Sequence, residues 1–266
     1  MDLMTVLGVL SGAGAIYYVL HHGGMLHLIV NLEAFILIFG GTLGSVLISY
    51  PWEALKTVPR ALIMVLVPPR KITFAQLIYT FVQMAEKARI NGLDSLQTDA
   101  AGKHFFLRDG VQMLLDGLEP EIVKERLERE ILLTRQRHMQ VTGIFRSAGT
   151  FAPIFGLLGT LIGVVQVLRN LTDPHSMGAS MAIAMTASFY GIFAANFLFL
   201  PIASKLNYHS ENELLVKELI AKGIMALQRG DIPLVVSKKL EAYLSYRLRT
   251  KQHSRTAAGA KPRRAA

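Results

Sequence analysis

The sequence contains no cysteine and one tryptophan in 266 residues. Without a thiol there is neither a disulfide framework nor a thiolate metal site. The eight histidines (His21, His22, His27, His104, His138, His175, His209 and His253) form no HExxH pair or other ligand spacing, so a histidine metal centre has no support either. No GxSxG elbow and no P-loop occurs. Gly156-Leu157-Leu158-Gly159-Thr160 carries glycines, but inside an apolar run, where they serve helix packing and not a phosphate cradle. These absences leave an enzyme without a catalytic constellation, and no cofactor is implied. The most informative absence is charge. The 22 residues from Ser147 to Leu168 hold no Asp, Glu, Lys or Arg, and neither do the 31 from Pro174 to Ser204. An ion path through a membrane normally marks itself with an ionisable side chain. If ions pass here, the carboxylate must come from another chain.

What is present is apolar and helical. Mean hydropathy is +0.38 and hydrophobic residues make up 52%, which places the chain in the membrane class. At about 1.5 Å per residue, each uncharged run crosses a hydrocarbon core of about 30 Å. The short polar break Asn170–Pro174 makes them a hairpin of two membrane helices. Ala152, Gly156, Gly159 and Gly163 recur at spacings of three and four on the first helix, and Ala184, Ala187, Ser188, Gly191 and Ala195 on the second. Such small-residue stripes let helix backbones approach closely. The hydroxyls of Thr160 and Ser188 are read on the same faces at mid-span. Pro153, read as one turn inside its helix, frees a backbone carbonyl.

Ahead of this hairpin, residues 3–20 form an uncharged run closed by His21-His22-Gly23-Gly24. No basic residue precedes it and no convincing cleavage site follows, so it reads as a retained membrane helix rather than a signal peptide. Met25 to Tyr50 make a second span, with Asn31 and Glu33 near its outer end and Gly40-Gly41-Thr42 at its centre. Residues 53–67 read as one amphipathic helix at the membrane surface, stopped by Pro68-Pro69. From Thr73 to His138 the pattern is that of soluble helices, punctuated by Gly92, Gly110 and Gly117. A polar helix follows Lys205 to about Arg229, and a last one carries Val236, Leu240, Tyr243 and Leu244. The basic tail from Thr250 has no apolar face to bury and reads as disordered.

The net charge of +9 is unevenly distributed. Residues 51–145 hold 13 Lys/Arg against 11 Asp/Glu, and residues 205–266 hold 13 against 5. The outer turns hold only Arg169. The positive-inside rule then puts both termini and the large loop in the cytoplasm. The expected fold is an all-α membrane protein: four transmembrane helices, a large helical cytoplasmic loop between the second and third, and a helical cytoplasmic C-terminal tail. The expected divisions are a first membrane hairpin (1–50), a cytoplasmic domain (51–145), a second hairpin (146–204), a helical tail (205–249) and a basic tail (250–266).

Several motifs, taken together and in order, resemble the MotA/PomA family of flagellar motor stator proteins. They are Arg137-His138 ahead of Ala152-Pro153, then GLLGTLIGVV at 156–165, Asp173-Pro174, Gly178, Tyr190-Gly191, Asn196 and Pro201. Gly40-Gly41-Thr42, Lys87-Ala88-Arg89 with Gly92, and Gln228, Gly230 and Pro233 extend the likeness to about Leu248. The resemblance implies a subunit of a cation-driven motor in the bacterial inner membrane. Five copies would surround two single-span partners of the MotB/PomB type, which supply the ion-binding Asp and a peptidoglycan anchor.

Carried over by position, Pro153 and Thr160 match the family's third-helix Pro and Thr beside the partner's Asp. Pro174 matches the Pro at the outer mouth of the ion path, Pro201 the one ending the fourth helix, and Arg89 the loop Arg that engages the rotor switch complex. Gly156, Gly159, Gly163, Ala184, Ala187, Ser188 and Gly191 would line the groove of the partner helix. Three positions depart from the pattern. Gln97 stands where a Glu is usual, leaving Asp94 and Asp99 as nearby charges. Asn31 replaces an Asp, and Ala187-Ser188 replaces the Thr-Thr pair of sodium-type members. Losing a hydroxyl at Ala187 favours H+ over Na+, since sodium needs several oxygen ligands. The competing readings are a TolQ/ExbB-type energy transducer, which normally has three spans, and a passive membrane scaffold.

Overall fold

A computed structural model describes residues 3–24, 29–67, 73–97, 104–169 and 174–244, without the side chains of residues 3 and 174–176. The turn at 170–173, Pro68-Pro69, Asp99 and the basic tail therefore lie outside the described residues. The helices are α1 (Leu3–His22), α2 (Leu32–Phe35), α3 (Gly41–Ser49), α4 (Trp52–Leu55), α5 (Val58–Leu66), α6 (Phe74–Asn91), α7 (Phe105–Leu115), α8 (Pro120–Arg169), α9 (Pro174–Phe193), α10 (Leu200–Gln228) and α11 (Pro233–Leu240). Wider π turns, Ile36–Gly40 and Ala194–Phe199, join α2 to α3 and α9 to α10, and 3-10 turns occupy Leu93–Leu96 and Glu241–Tyr243. No strand occurs among the described residues.

Among the described residues, four helical stretches are long and apolar enough to cross a membrane: Met4–His22, Leu32–Ser49, part of Pro120–Arg169 and part of Met177–Gln228. The chain divides into two compact units, one of Met1–Pro69 with Gln136–His209, the other of Arg70–Arg135 with Ser210–Ala266. The boundaries read from charge at 145/146 and 204/205 fall inside continuous helices. α8 runs 50 residues and α10 runs 29 without a break. The reason is physical: the i to i−4 backbone ladder is indifferent to whether side chains face water or lipid.

Two further expectations change. Pro153 lies deep inside α8 rather than one turn from its start, and leaves the Gly149 carbonyl without its helical donor. Pro201 does not end the fourth helix; it sits in the first turn of α10, which continues to Gln228. The preceding π turn displaces the carbonyls that the proline ring would otherwise strike.

In the first unit, residues 53–67 are not one helix, because Pro59 in a helix begun at residue 52 would clash with the Leu55 carbonyl. The segment breaks at Lys56-Thr57, where the Thr57 hydroxyl donates to the Ala54 carbonyl at 2.5 Å. α5 restarts with Pro59 in its first turn. Its Ala61 and Val65 are buried against Phe145, Ala203 and Leu206, so the helix is packed on one face and does not simply lie on the surface.

The second unit has the core of a soluble domain. Ile78, Phe81 and Met84 of α6 are buried with Leu96, with Phe106 and Leu107 of α7, with Leu127 of α8, with Leu219, Ile220 and Ile224 of α10, and with Val236 and Leu240 of α11. Each large side chain buried this way contributes about 1.5–3 kcal/mol before entropy is counted. Gly223 accepts the Phe81 ring where any Cβ would overlap it, and Gly110 accepts Ile224 likewise. The Gln228 amide donates to the Leu118 carbonyl at 2.7 Å and fixes the turn at Gly117, whose φ is 70°.

Candidate functional site

The uncharged hairpin of α8 and α9 is held by backbone proximity. A Cβ on Gly191 would lie 2.6 Å from the Ala152 carbonyl oxygen and 3.1 Å from the Gly156 Cα. One on Gly156 would lie 3.2 Å from the Ala187 carbonyl oxygen and 3.3 Å from the Ser188 Cα. Cβ atoms on Gly159 and Gly163 would overlap those of Ala187 and Ala184, and the latter would also sit 3.0 Å from the Ser180 carbonyl oxygen. The small-residue stripes of the two helices therefore face each other within the chain. This differs from the expectation that they line a groove for a partner helix: two matched stripes gain most contact by closing on each other.

Thr160 stands at the edge of that seam, four residues after buried Gly156 and three before buried Gly163 on the same side of the helix, and is itself partly exposed. Its hydroxyl donates to the Leu157 carbonyl at 2.6 Å, so its oxygen lone pairs remain available to an incoming donor. Around it, Leu157, Leu161, Val164 and Leu168 are exposed, giving α8 an apolar outer face with Thr160 as its polar point. Pro153 lies about two turns before it and is partly exposed. Ser188 is half-buried at the seam. Pro174 takes the first position of α9, where a missing N–H costs nothing.

Sequence reasoning missed what anchors the second span to the fourth. The Tyr190 hydroxyl donates to the Ile29 carbonyl at 2.5 Å and lies 3.5 Å from the Asn31 N–H. Asn31 caps α2 by accepting from the Ala34 N–H at 3.0 Å. Lower on the span, Gly41 receives the Phe155 ring, and Tyr50 shares a 2.9 Å hydrogen bond with Ser147. Ala34 of α2 and Ile38 of the first π turn share one buried cluster with Ala152, Ala187, and Ala194 and Ala195 of the second π turn. Tyr190 was visible only as a motif residue; a tyrosine inside an uncharged membrane run is itself a signal, since its hydroxyl requires a partner.

In the second unit, Arg89, Asp94 and Gln97 are grouped around the end of α6, where Gly92 reverses the chain at a φ of 80°. Arg89 and Gln97 are exposed there, and Asp94 is at the start of the 3-10 turn. The structure thus places all three at the surface, Arg89 in the last turn of α6, Asp94 in the 3-10 turn and Gln97 just after it. The second unit also hides Lys217, 6% exposed, whose ammonium lies 3.2 Å from Glu130 and 2.9 Å from the Thr134 hydroxyl, and 5.1 Å from the centre of the Phe106 ring. His104 caps α7, its Nδ1 accepting from the Phe106 N–H at 3.3 Å. Burial first and the Lys217 charge second hold its pKa below the usual histidine value. Burial, aided by Glu218, raises that of Tyr243.

Residues 99–219 match the MotA/TolQ/ExbB proton channel family. The chemotaxis protein PomA of Vibrio alginolyticus is 33% identical over 92% of this chain and 96% of its own length. Among solved structures, that of C. jejuni MotAB superposes with a TM-score of 0.85 at 25% identity, over 92% of this chain and 97% of that one. The flagellar MotAB stator complex from Bacillus subtilis gives 0.83 at 28% identity, over 94% and 98%.

Proposed function

The chain belongs to the MotA/PomA family of flagellar motor stator proteins, and from that premise we propose that it conducts H+ jointly with a MotB/PomB-type partner and converts the flow into torque. The carrying observation is the outer face of α8: apolar, uncharged, and broken by the single hydroxyl of Thr160. Such a face accepts a partner helix and offers one hydrogen-bonding atom to it, but has no group that can carry a proton. The carboxylate belongs to the partner. The two solved relatives are both MotAB structures, which supports a partner of that kind.

In this reading five copies surround two single-span partners in the bacterial inner membrane, with both termini and the second unit in the cytoplasm. The partner's Asp sits beside Thr160 and Pro153. The Thr160 oxygen orients water toward that carboxylate, and Pro174 lies at the outer mouth. The seam of Gly156, Gly159, Gly163, Ala184, Ala187 and Gly191 keeps α8 and α9 moving as one body as the ring turns about the partner. A unit charge crossing ~100 mV releases about 2.3 kcal/mol, several times thermal energy and sufficient to bias one step. Arg89, Asp94 and Gln97 meet charged groups of the rotor switch complex. With Ala187-Ser188 in place of two threonines, the oxygen count around the path favours H+ over Na+.

Co-expression with the partner tests this. Thr160→Ala lowers ion flux and torque while the complex still elutes intact, and Thr160→Ser restores much of both. Arg89→Glu lowers torque with flux and membrane levels retained. Unaltered swimming in Thr160→Ala, or motility that follows external sodium at constant proton-motive force, contradicts the respective claim.

A further inference from the structure

Away from the α8/α9 seam, the first unit holds an open apolar slot of about 460 Å³, lined by Phe39, Leu43, Leu47, Leu55, Pro59 and Phe199 among others. That volume is in the range of about 300–1,000 Å³ typical of small-ligand sites. The slot follows the second span from Phe39 past Leu47, eight residues or about 12 Å of helix, and reaches the short helices α4 and α5. Thr42 brings the lining's lone side-chain hydroxyl, buried and without a hydrogen-bond partner among the described residues.

The end of the slot at α4 and α5 is cationic. Lys56 stands between the lining residues Leu55 and Val58, and Arg60 follows Pro59; both are exposed. Trp52, 64% exposed, lies under the Lys56 ammonium at 5.8 Å from the ring centre. Glu53 is the one carboxylate between Trp52 and Arg60. An exposed tryptophan beside two cations, at the end of a membrane span, is the chemistry of the headgroup layer.

We propose that this slot binds one acyl chain of an anionic glycerophospholipid, whose phosphate is held by Lys56 and Arg60. The lining excludes a charged or strongly polar occupant, and the end at Lys56 and Arg60 demands a negative charge. A single molecule with an apolar tail and an anionic head satisfies both. The alternative occupant from this chain, the exposed α1 of a second copy, is apolar from Leu3 to His22 and brings one carboxylate, Asp2, against the two cations Lys56 and Arg60. The lipid fastens the π-turned second span to α5 and does not depend on the ion-path reading.

The full complex, purified in mild detergent from membranes containing phosphatidylglycerol, should retain about one such lipid per copy of this chain, read by mass spectrometry of the extract. Phosphatidylglycerol added to delipidated complex should raise its thermal midpoint, and phosphatidylcholine should not. The exposed double variant Lys56→Glu/Arg60→Glu should retain at least tenfold less phosphatidylglycerol at unchanged elution volume. Leu47→Trp, at a half-exposed lining position, should lose the bound lipid by filling the slot. Equal protection by the two lipids overturns the proposal, as does full retention in the charge-reversed variant. So does protein in the slot: because the chain has no native cysteine, a disulfide between Leu43→Cys of one copy and Leu10→Cys of another would report α1 there.

Discussion

If α8 and α9 are held by glycines that admit a neighbouring atom, the two kinds of close approach can be told apart by mutation. Gly159→Ala brings a methyl onto the Ala187 Cβ, whereas Gly191→Ala brings one to 2.6 Å from the Ala152 carbonyl oxygen and 3.1 Å from the Gly156 Cα. Overpacking of a tight site costs about 1–3 kcal/mol, against which the higher helix propensity of Ala returns up to about 1 kcal/mol. The net single-mutant effects are therefore small and ambiguous. A double-mutant cycle removes the ambiguity, because the propensity terms of Gly→Ala and Ala→Gly cancel. In the cycle of Gly159→Ala with Ala187→Gly, the second change deletes the methyl that the first one strikes, and the coupling should be about 1–3 kcal/mol, favourable in the double variant. In the cycle of Gly191→Ala with Ala152→Gly, the struck atom is backbone and survives the second change, so the coupling should fall below about 0.5 kcal/mol. Unfolding in mixed detergent–SDS micelles, followed by helix circular dichroism, supplies the free energies. Equal couplings in the two cycles, or none in the first, would refute the packing geometry.

Other consequences are checked more briefly. Tyr190→Phe removes the donor to the Ile29 carbonyl, so hydrogen exchange at Leu32–Phe35 should quicken by a factor consistent with about 1 kcal/mol; unchanged protection would show that the anchor is idle. Lys217→Met should be tolerated far better than Lys217→Ala, because Met refills the buried volume beside Phe106 while Ala leaves a cavity next to Glu130; thermal melts that rank them the other way contradict this. The His104 pKa is lowered on folding, so the unfolded chain binds the proton first, and stability of the second unit should fall as pH drops below about 6.5. His104→Asn keeps a capping oxygen and should flatten that acid limb; a melt profile with the same slope rules His104 out as the cause.

The sequence made the close-packing faces legible, since glycines and alanines at spacings of three and four share a helix side. It did not say which surface they meet, and the two stripes close on each other because their shapes match. Thr160 shares the helix side of Gly156 and Gly163, at spacings of four and three, but that spacing does not tell how far its hydroxyl stays exposed. The π turns at Ile36–Gly40 and Ala194–Phe199 carry no residue signature; Ile38 of the first and Ala194 and Ala195 of the second are buried in one cluster, a contact distant in sequence. The unbroken course of α8 escaped notice for a different reason: the change from charged to uncharged residues near Arg146 marks a change of solvent and leaves the hydrogen-bond ladder intact. That Arg89, Asp94 and Gln97 lie at the surface follows from their polarity, while the break between Arg89 and the other two rests on the positive φ of Gly92.

Ion flux into sealed vesicles is the most direct measurement of the central claim, made once with this chain alone and once with its single-span partner. The uncharged stretch Ser147–Leu168 of α8 and the uncharged α9 predict no selective proton uptake by the chain alone, and uptake that appears with the partner and disappears when the partner's membrane carboxylate is replaced by its amide. Selective conduction by the chain alone would contradict the account.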